Sequence, residues 1–149
     1  MRLHRFLLTA LLATAAAHAD APAFGLAQYQ GKLVYLDFWA SWCKPCRQSF
    51  PWMDAMQKKY AADGLVIVAV DEDEQPADGQ KFLAVEQPGF AIVGDPKGGL
   101  AERYALLGMP SSFLIGRDGQ VLQKHAGFYT DSPAQFEAEI RAALGKEQE

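Results

Sequence analysis

The sequence lacks three features that would assign it to common classes of protein. It has 14 basic and 18 acidic residues, so it lacks the basic excess that releases counterions from nucleic acid. No apolar run reaches the roughly 20 residues that a membrane-spanning helix needs. Only 21% of its residues are charged and 50% are hydrophobic, which excludes a disordered polymer. We expect one folded domain whose partners are proteins or small molecules.

The N-terminal segment has the pattern of a secretory signal peptide. Residues 1–5 are basic, residues 6–17 are apolar, and residues 17–19 form a small-x-small cleavage site. We therefore predict a signal peptide over residues 1–19 and one exported, periplasmic domain over residues 20–149. An uncleaved N-terminal anchor is the alternative that this pattern leaves open.

Cysteine is scarce, and its placement is informative. The two cysteines, Cys43 and Cys46, are separated by only two residues, although an exported chain could carry disulfides anywhere. A bridge between them would close a very short loop and would therefore restrict the unfolded chain little. The pair is predicted to open and close as a redox couple. An accidental local disulfide without turnover is the alternative.

The segments around the cysteines predict a strand followed by a helix. Residues 32–39 are apolar, partly β-branched and aromatic, as in a buried strand. Apolar residues then recur at helical spacing between residues 50 and 60, which predicts a helix over about residues 43–62. Both cysteines would lie in its first turn, where unpaired N–H groups and the helix dipole stabilise a thiolate.

This placement assigns a role to each residue of the motif. Cys43 would be the attacking sulfur and Cys46, three residues later, the resolving one. Lys44 adds positive charge near the thiolate, and Pro45 stiffens the first turn. Lys44 and Pro45 are therefore predicted to tune the reduction potential.

The rest of the chain alternates between strand and helix patterns. The predicted elements are a central parallel strand over residues 65–70, a helix over 76–85, a strand over 90–93, a helix over 99–107, two strands over 111–115 and 120–124 around a turn at 117–119, and a helix over 133–144. The order β-α-β-α-β-α-β-β-α predicts an α/β fold in which a mixed sheet lies between helices.

Two segments of the sequence resemble the motifs of a known fold. They are Asp37-Phe38-Trp39-Ala40-Ser41-Trp42-Cys43-Lys44-Pro45-Cys46-Arg47 and Gly108-Met109-Pro110-Ser111-Ser112-Phe113-Leu114-Ile115, followed by Asp118-Gly119. Together they resemble the thioredoxin fold, and in particular the exported TlpA/ResA-like family, over roughly residues 24–144. The resemblance implies a thiol-disulfide oxidoreductase whose central mixed sheet has helices on both faces.

The resemblance also implies roles for residues that bind substrate. Pro110 would follow a cis peptide bond beside the dithiol, which is inexpensive only before proline. Met109 would offer its backbone to an extended substrate peptide by strand addition. Trp42 would cover the sulfurs, while Trp39 would belong to the core. A trans turn proline and a ligand-binding role for the two tryptophans are the alternatives.

Asp37 is a carboxylic acid inside an apolar strand. Burial should raise its pKa toward neutrality, where it could transfer protons. It matches the buried acid of thioredoxin, and by that resemblance it would act as general base for the Cys46 thiol. Many TlpA/ResA-like proteins instead have Asn at this position and Glu three residues after the second cysteine, where this chain has Ser49. A solvent-facing Asp37 without a role is the alternative.

Other polar and sulfur-containing residues have simpler interpretations. The acidic residues 71–74 resemble a metal site, but they precede Pro76 and are interpreted as favouring a helix N-terminus. His125 is interpreted as structural, because it lacks the neighbours of a zinc site. Met53 and Met56 could join Met109 and the cysteines around Cu(I), although the first two also fit the core pattern of the helix.

Two classes of function remain. The first is a periplasmic reductase of protein disulfides that works without cofactor or metal, as a monomer, and is recharged by a membrane-bound thiol electron donor. The resemblance favours a reductase over an oxidase and implies clients in cytochrome c maturation or copper-site assembly. The second is a Cu(I) metallochaperone that uses Cys43 and Cys46 as ligands. A peroxidase would need a peroxide pocket, for which the sequence has no residue signature.

Overall fold

The computed structural model describes residues 26–146, so the signal peptide predicted for residues 1–19 lies outside the described residues. All the strands and helices predicted within this range are present, in the predicted order. They are β1 (Leu33–Trp39), α1 (Lys44–Tyr60), β2 (Leu65–Asp71), α2 (Pro76–Glu86), β3 (Ala91–Gly94), α3 (Gly99–Arg103), β4 (Ser111–Ile115), β5 (Val121–Ala126) and α4 (Ser132–Ala143). Short 3-10 helices at Leu26–Tyr29 and Ala61–Asp63 precede β1 and extend α1.

The five strands form one mixed sheet in the order β3-β2-β1-β4-β5. Strands β1, β2 and β3 are parallel, and β4 is antiparallel to both β1 and β5. Strand β1 lies at the centre and is buried along its whole length, as a strand covered on both faces must be. β5 is an exposed edge strand.

Two hydrophobic clusters pack against opposite faces of the sheet. The larger cluster joins side chains of α1, α2 and α4 to β1, β2 and β4, and it contains Trp39, Cys46 and Phe136. The smaller cluster lies between the other face and α3, with Phe38 of β1 at its centre. Helices therefore cover both faces, which confirms the predicted architecture and the assignment of Trp39 to the core. Among residues 26–146, no helix combines the length and apolarity needed to cross a bilayer.

Helix α3 ends four residues earlier than predicted. Its last residues close with hydrogen bonds from the Ala105 amide to the Glu102 carbonyl and from the Leu106 amide to the Ala101 carbonyl. Ala105 has a φ of 49°, so the chain leaves the helix through a left-handed residue. Glycine normally occupies this position, and because alanine stands there the sequence carries no stop signal.

The acidic residues 71–74 precede α2, as interpreted from the sequence, but the N-terminus of that helix has no side-chain capping bond. Its N-cap is Gln75. Asp73 instead accepts two hydrogen bonds from Ser41, in the loop that follows β1. The acid that caps a helix is Asp95, whose carboxylate accepts the first three backbone N–H groups of α3.

Candidate active site

The two cysteines are joined at the start of α1. Cys43 is the N-cap of the helix and forms a disulfide with Cys46, whose Cα lies 5.3 Å away. The Cys43 residue is 5% exposed, whereas Cys46 is 0% exposed. Cys43 is thus the less completely buried of the two residues, and its predicted role as the attacking cysteine stays a prediction.

The residues between the cysteines occupy the first two positions of the helix. Lys44 is the first helical residue and Pro45 the second, where a missing N–H group costs no hydrogen bond. Both are exposed. The two cysteines thus lie at the positive end of the α1 dipole, which favours the thiolate of a reduced cysteine over the thiol. The predicted tuning of the potential by these residues stays a prediction.

Hydrogen bonds fix the loop between β1 and Cys43. The backbone amide and the hydroxyl of Ser41 both donate to the Asp73 carboxylate, at 2.7 and 2.8 Å. The Asp73 amide in turn donates to Asp71 at the end of β2. A Cβ at position 79 would overlap the Asp71 carboxylate, so Gly79 lets α2 pack closely here. The sequence showed this acidic cluster but not its attachment to Ser41, because the two segments are joined only by the fold.

Asp37 is buried at the middle of β1. The residue is 2% exposed, and its Oδ2 atom has no hydrogen-bond partner within the described part of the chain. Desolvation therefore raises the pKa of Asp37 well above its usual value of 3.8. The solvent-facing alternative is excluded. Since strand side chains alternate between faces, Asp37 shares the face of Tyr35 and Trp39, which carries the cluster containing Cys46.

Ser49 occupies the position at which many TlpA/ResA-like proteins were expected to have a glutamate. Ser49 is 2% exposed and donates to the backbone carbonyl of Cys46 at 2.8 Å. It therefore supplies no acid to the dithiol, and Asp37 is left as the acidic group on this face of β1. Met53 and Met56, considered as copper ligands, are buried in the same core cluster.

A second segment of the predicted site precedes β4. The Met109–Pro110 peptide bond is cis, as the resemblance implied. The Pro110 carbonyl accepts the amide of Gly127. Met109 lies outside the paired part of β4, which begins at Ser111, so the sheet does not use its backbone groups. This arrangement suits the predicted strand addition by an extended substrate.

Exposed apolar side chains lie in the two segments of the site. Trp42, immediately before Cys43, is 70% exposed, and Leu107 is 99% exposed. Leu107 and Met109 line an open groove of about 710 Å³, together with Glu72 and Lys97. Exposed large apolar groups are typical of surfaces that contact other proteins.

Glu72 is a second acid with an altered pKa. Its Oε1 atom is buried without a hydrogen-bond partner within residues 26–146. Burial, and then the nearby Asp95 and Asp71 carboxylates, raise the pKa of Glu72 from 4.5 to about 8. Burial also raises the pKa of Asp71 to about 6. Sequence reasoning missed this, because burial is not visible in a run of acidic residues.

His125 lies on β5 and contacts other side chains on both sides of its ring. Its Nε2 atom lies 2.6 Å from the Glu139 carboxylate and its Nδ1 atom 3.3 Å from the Ser112 hydroxyl. The ring stacks on Phe136 with 3.8 Å between centroids. Within residues 26–146 no three His, Cys, Asp or Glu side chains are grouped so as to hold a metal ion.

Comparison with known proteins yields related sequences. The profile of the AhpC/TSA family matches residues 10–124. The thiol-disulfide oxidoreductase ResA of Bacillus thuringiensis subsp. konkukian (strain 97-27) is 36% identical over 105 residues, which are 70% of this chain and 61% of that protein. ResA of Bacillus subtilis (strain 168) is 33% identical over 107 residues, 72% of this chain and 60% of that protein. The chain thus spans about three fifths of the length of these relatives.

Solved structures lead to the same group of proteins. A crystal structure assigned as a thiol:disulfide interchange protein DsbE from Chlorobium tepidum is 52% identical and superposes with a TM-score of 0.79, covering 80% of this chain and 85% of that one. StoA from Bacillus subtilis is 26% identical with a TM-score of 0.65, covering 74% and 84%. The chain, with its disulfide at the start of α1 and its cis-proline before β4, belongs to the AhpC/TSA family and, within it, to the thioredoxin-fold, TlpA/ResA-like proteins.

Proposed function

We propose that this protein is an extracytoplasmic thiol-disulfide oxidoreductase that reduces disulfides in other proteins. The observation that carries the proposal is the Cys43–Cys46 disulfide at the N-terminus of α1, with its two sulfurs unequally buried. A disulfide that closes so short a loop contributes little to stability, whereas a helix N-terminus lowers the pKa of a thiol and so generates the attacking thiolate.

The first step begins with the reduced protein. The Cys43 thiolate attacks one sulfur of a client disulfide, forming a Cys43–client bond as the client S–S bond breaks and releasing one client thiolate. The client chain would lie across Met109, whose backbone groups the sheet does not use, and against the exposed ring of Trp42. This contact would hold the scissile disulfide in line with the Cys43 sulfur.

The second step resolves the mixed disulfide. Cys46 gives its thiol proton to Asp37 and attacks the Cys43 sulfur, so that the Cys43–Cys46 disulfide forms and the second client thiolate leaves. Two electrons pass from the dithiol to the client, and the protein is left oxidised. Because Cys46 is fully buried, external thiols and disulfides reach it only through Cys43.

Renewed turnover requires a donor of electrons. We infer that a membrane-bound dithiol carrier reduces the Cys43–Cys46 disulfide, since the bacterial periplasm is kept oxidising and has no thiol buffer to do so. The predicted signal peptide over residues 1–19 supports this location, and the names of the Bacillus relatives support the reaction. Proteins of cytochrome c maturation or of copper-site assembly are the proposed clients.

Trapping of the intermediate tests the proposal. In Cys46→Ala the resolving thiol is missing, so reaction with a peptide that carries one internal disulfide should leave a stable mixed disulfide on Cys43, detected as a mass increase that dithiothreitol removes. Cys43→Ala is the matched control and should form no adduct, because its remaining thiol is buried. Recovery of unmodified Cys46→Ala protein would refute the mechanism.

A further inference from the structure

The groove that Met109 lines opens at the end of the sheet where α1 begins. Strands β1, β2 and β3 are parallel, so their carboxyl ends meet at this end. The residues that follow β2 and β3 and those that precede β4 line the groove, which has a volume of about 710 Å³. In open α/β sheets, ligands commonly bind outside the carboxyl ends of parallel strands. A client chain that pairs with the Met109 backbone would therefore lie along one wall of this groove.

Glu72 lies in the wall of the groove, directly after β2. Its backbone amide donates to the Trp39 carbonyl at 2.9 Å, at the end of β1. Its Oε2 atom lies 4.0 Å from the point that a Cβ on Gly98 would occupy, so the loop before α3 packs against the carboxyl group. Glu72 is therefore held between the end of β1, from which the chain continues to the dithiol, and the loop before α3.

The acids near Glu72 have hydrogen-bond donors that it lacks. Asp73 accepts from Ser41, and Asp95 accepts the first three N–H groups of α3. The Oε1 atom of Glu72 is buried and has no hydrogen-bond partner among residues 26–146. Besides burial, the groups that raise its pKa are the carboxyl groups of Asp95 and Asp71, so its charged neighbours are themselves acids. Glu72 is thus an acceptor that the described part of the fold leaves unused.

A carboxyl group in this position costs stability, and packing does not require it. Burial and two acidic neighbours make the folded protein hold the Glu72 proton more tightly than the unfolded chain does. Glutamine has the same shape and would fill the same space without that cost. Acids with unfavourable surroundings are expected where they serve a function, so the position of Glu72 in a groove beside the site points to a ligand.

The chemistry of the groove favours a cationic side chain as that ligand. Its charged lining residues are Glu72, Glu74 and Lys97, of which Lys97 is exposed to solvent. An acidic side chain would be repelled by Glu74 and by Asp95 beneath it, and an apolar side chain would leave the buried Oε1 atom without a donor. A lysine or arginine side chain supplies both a positive charge and an N–H group, while its methylene groups can pack on apolar lining residues such as Leu107.

We propose that Glu72 is a specificity-determining residue that binds a lysine or arginine side chain next to the reactive disulfide of a protein client. This role rests on the proposed function, because it describes which clients the disulfide exchange selects. When the cation enters the groove, Glu72 releases its proton to solvent and the N–H group of the cation binds Oε1. A basic segment beside the client disulfide would thus hold that disulfide at Cys43, whereas an acidic segment would be disfavoured.

Rates of mixed-disulfide formation on Cys46→Ala, which retains the adduct, test this specificity. The substrates are peptides with one internal disulfide that carry lysine, norleucine or glutamate at successive positions beside a cysteine. Norleucine keeps the apolar chain of lysine but lacks its charge. At the position that reaches Glu72, the lysine peptide should react about tenfold faster than the norleucine peptide, the size expected for one hydrogen bond to a charged group. The glutamate peptide should react more slowly than both, and added salt should reduce the differences.

Addition of Glu72→Gln to this variant should bring the lysine and norleucine rates to about the same value. The matched control is Glu86→Gln, which removes the same charge from an exposed position at the end of α2, outside the groove, and should keep the lysine preference.

Equal rates for lysine and norleucine at every position, or a lysine preference that survives Glu72→Gln, would overturn the role of Glu72 while leaving the disulfide exchange intact. The comparison of peptides needs no change at position 72, so it decides the question even if that variant fails to fold. Absence of adducts with every peptide is a different result, which would refute the proposed function and with it the client specificity that rests on it.

Discussion

Asp37 places a carboxyl group inside the central strand, where water does not reach it. Burial favours its neutral form, so the folded protein holds the proton more tightly than the unfolded chain does. Well below pH 3.8 the Asp37 carboxyl group is protonated in both the folded and the unfolded protein. Its ionisation therefore costs stability only at higher pH. Asp37 therefore contributes a penalty that grows as the pH rises from about 4 through the raised pKa.

Replacement by the uncharged isostere removes this penalty. In Asp37→Asn, the free energy of unfolding should rise relative to wild type as the pH is increased from 4 to 9, because the wild type must ionise a buried carboxyl group that the amide lacks. Urea unfolding at a series of pH values measures this. Resolution of the mixed disulfide should also slow near neutral pH. A constant difference in stability across this range, with an unchanged pH–rate profile, would remove Asp37 from the mechanism.

Glu72 lies in the groove beside Met109, and its effect on stability should depend on pH in the same direction as that of Asp37. Its pKa is raised from 4.5 to about 8 in the folded protein, so the wild type should lose stability relative to Glu72→Gln as the pH rises across this interval. Thermal unfolding between pH 4.5 and pH 8 measures the trend. Glu74→Gln is the matched control, because Glu74 is exposed. Parallel curves for wild type and Glu72→Gln would show that the carboxyl group is fully solvated.

At the scale of elements, the short helix α3 depends on its two ends. Asp95 accepts three N–H groups at the N-terminus, while Ala105 closes the C-terminus at a φ of 49°. An alanine in the left-handed region costs more than a glycine there, even after the greater chain entropy of glycine is counted. Ala105→Gly should therefore stabilise the protein by about 1 kcal/mol.

Chemical denaturation checks this prediction, with Ala101→Gly, at a half-buried position inside α3, as a contrasting variant. Glycine within a helix destabilises by about 1 kcal/mol, so the two substitutions should have opposite effects. Equal destabilisation by both would mean that Ala105 is not strained.

Helix α1 illustrates how an element is positioned by its neighbours. Pro51 lies inside the helix, yet the helix continues to Tyr60 because Cys46, Phe50, Met53 and Met56 bury one face in the core. The same packing holds the cysteine turn against the sheet. Tertiary contacts here outweigh the tendency of a proline to end a helix.

For the whole molecule, the mixed sheet brings together groups that are distant in sequence. Trp42 and Met109 are 67 positions apart by their numbers, yet both lie at the end of the sheet where α1 begins, since the loops after β1 and before β4 lie at one end of adjacent strands. The cluster beneath them places Asp37 and Cys46 on one face. The site is thus assembled from β1, the N-terminus of α1 and the loops after β1 and before β4.

The sequence by itself determined the order of elements, the strand-helix junction at the cysteines and the burial of Asp37. These are local properties, because periodicity, motif spacing and an apolar neighbourhood are properties of consecutive residues. The shortened α3 was not predictable in this way, since alanine carries no stop signal.

Only the tertiary structure decided which distant groups meet. The hydrogen bonds between Ser41 and Asp73, between Tyr35 and Ser112 and between His125 and Glu139 all join separate strands, helices or loops. Strand register and side-chain burial create these contacts, and both depend on how the whole sheet packs against its helices. Hydrogen bonding and pKa values follow the local dielectric and the nearest neighbours, which a linear chain does not specify.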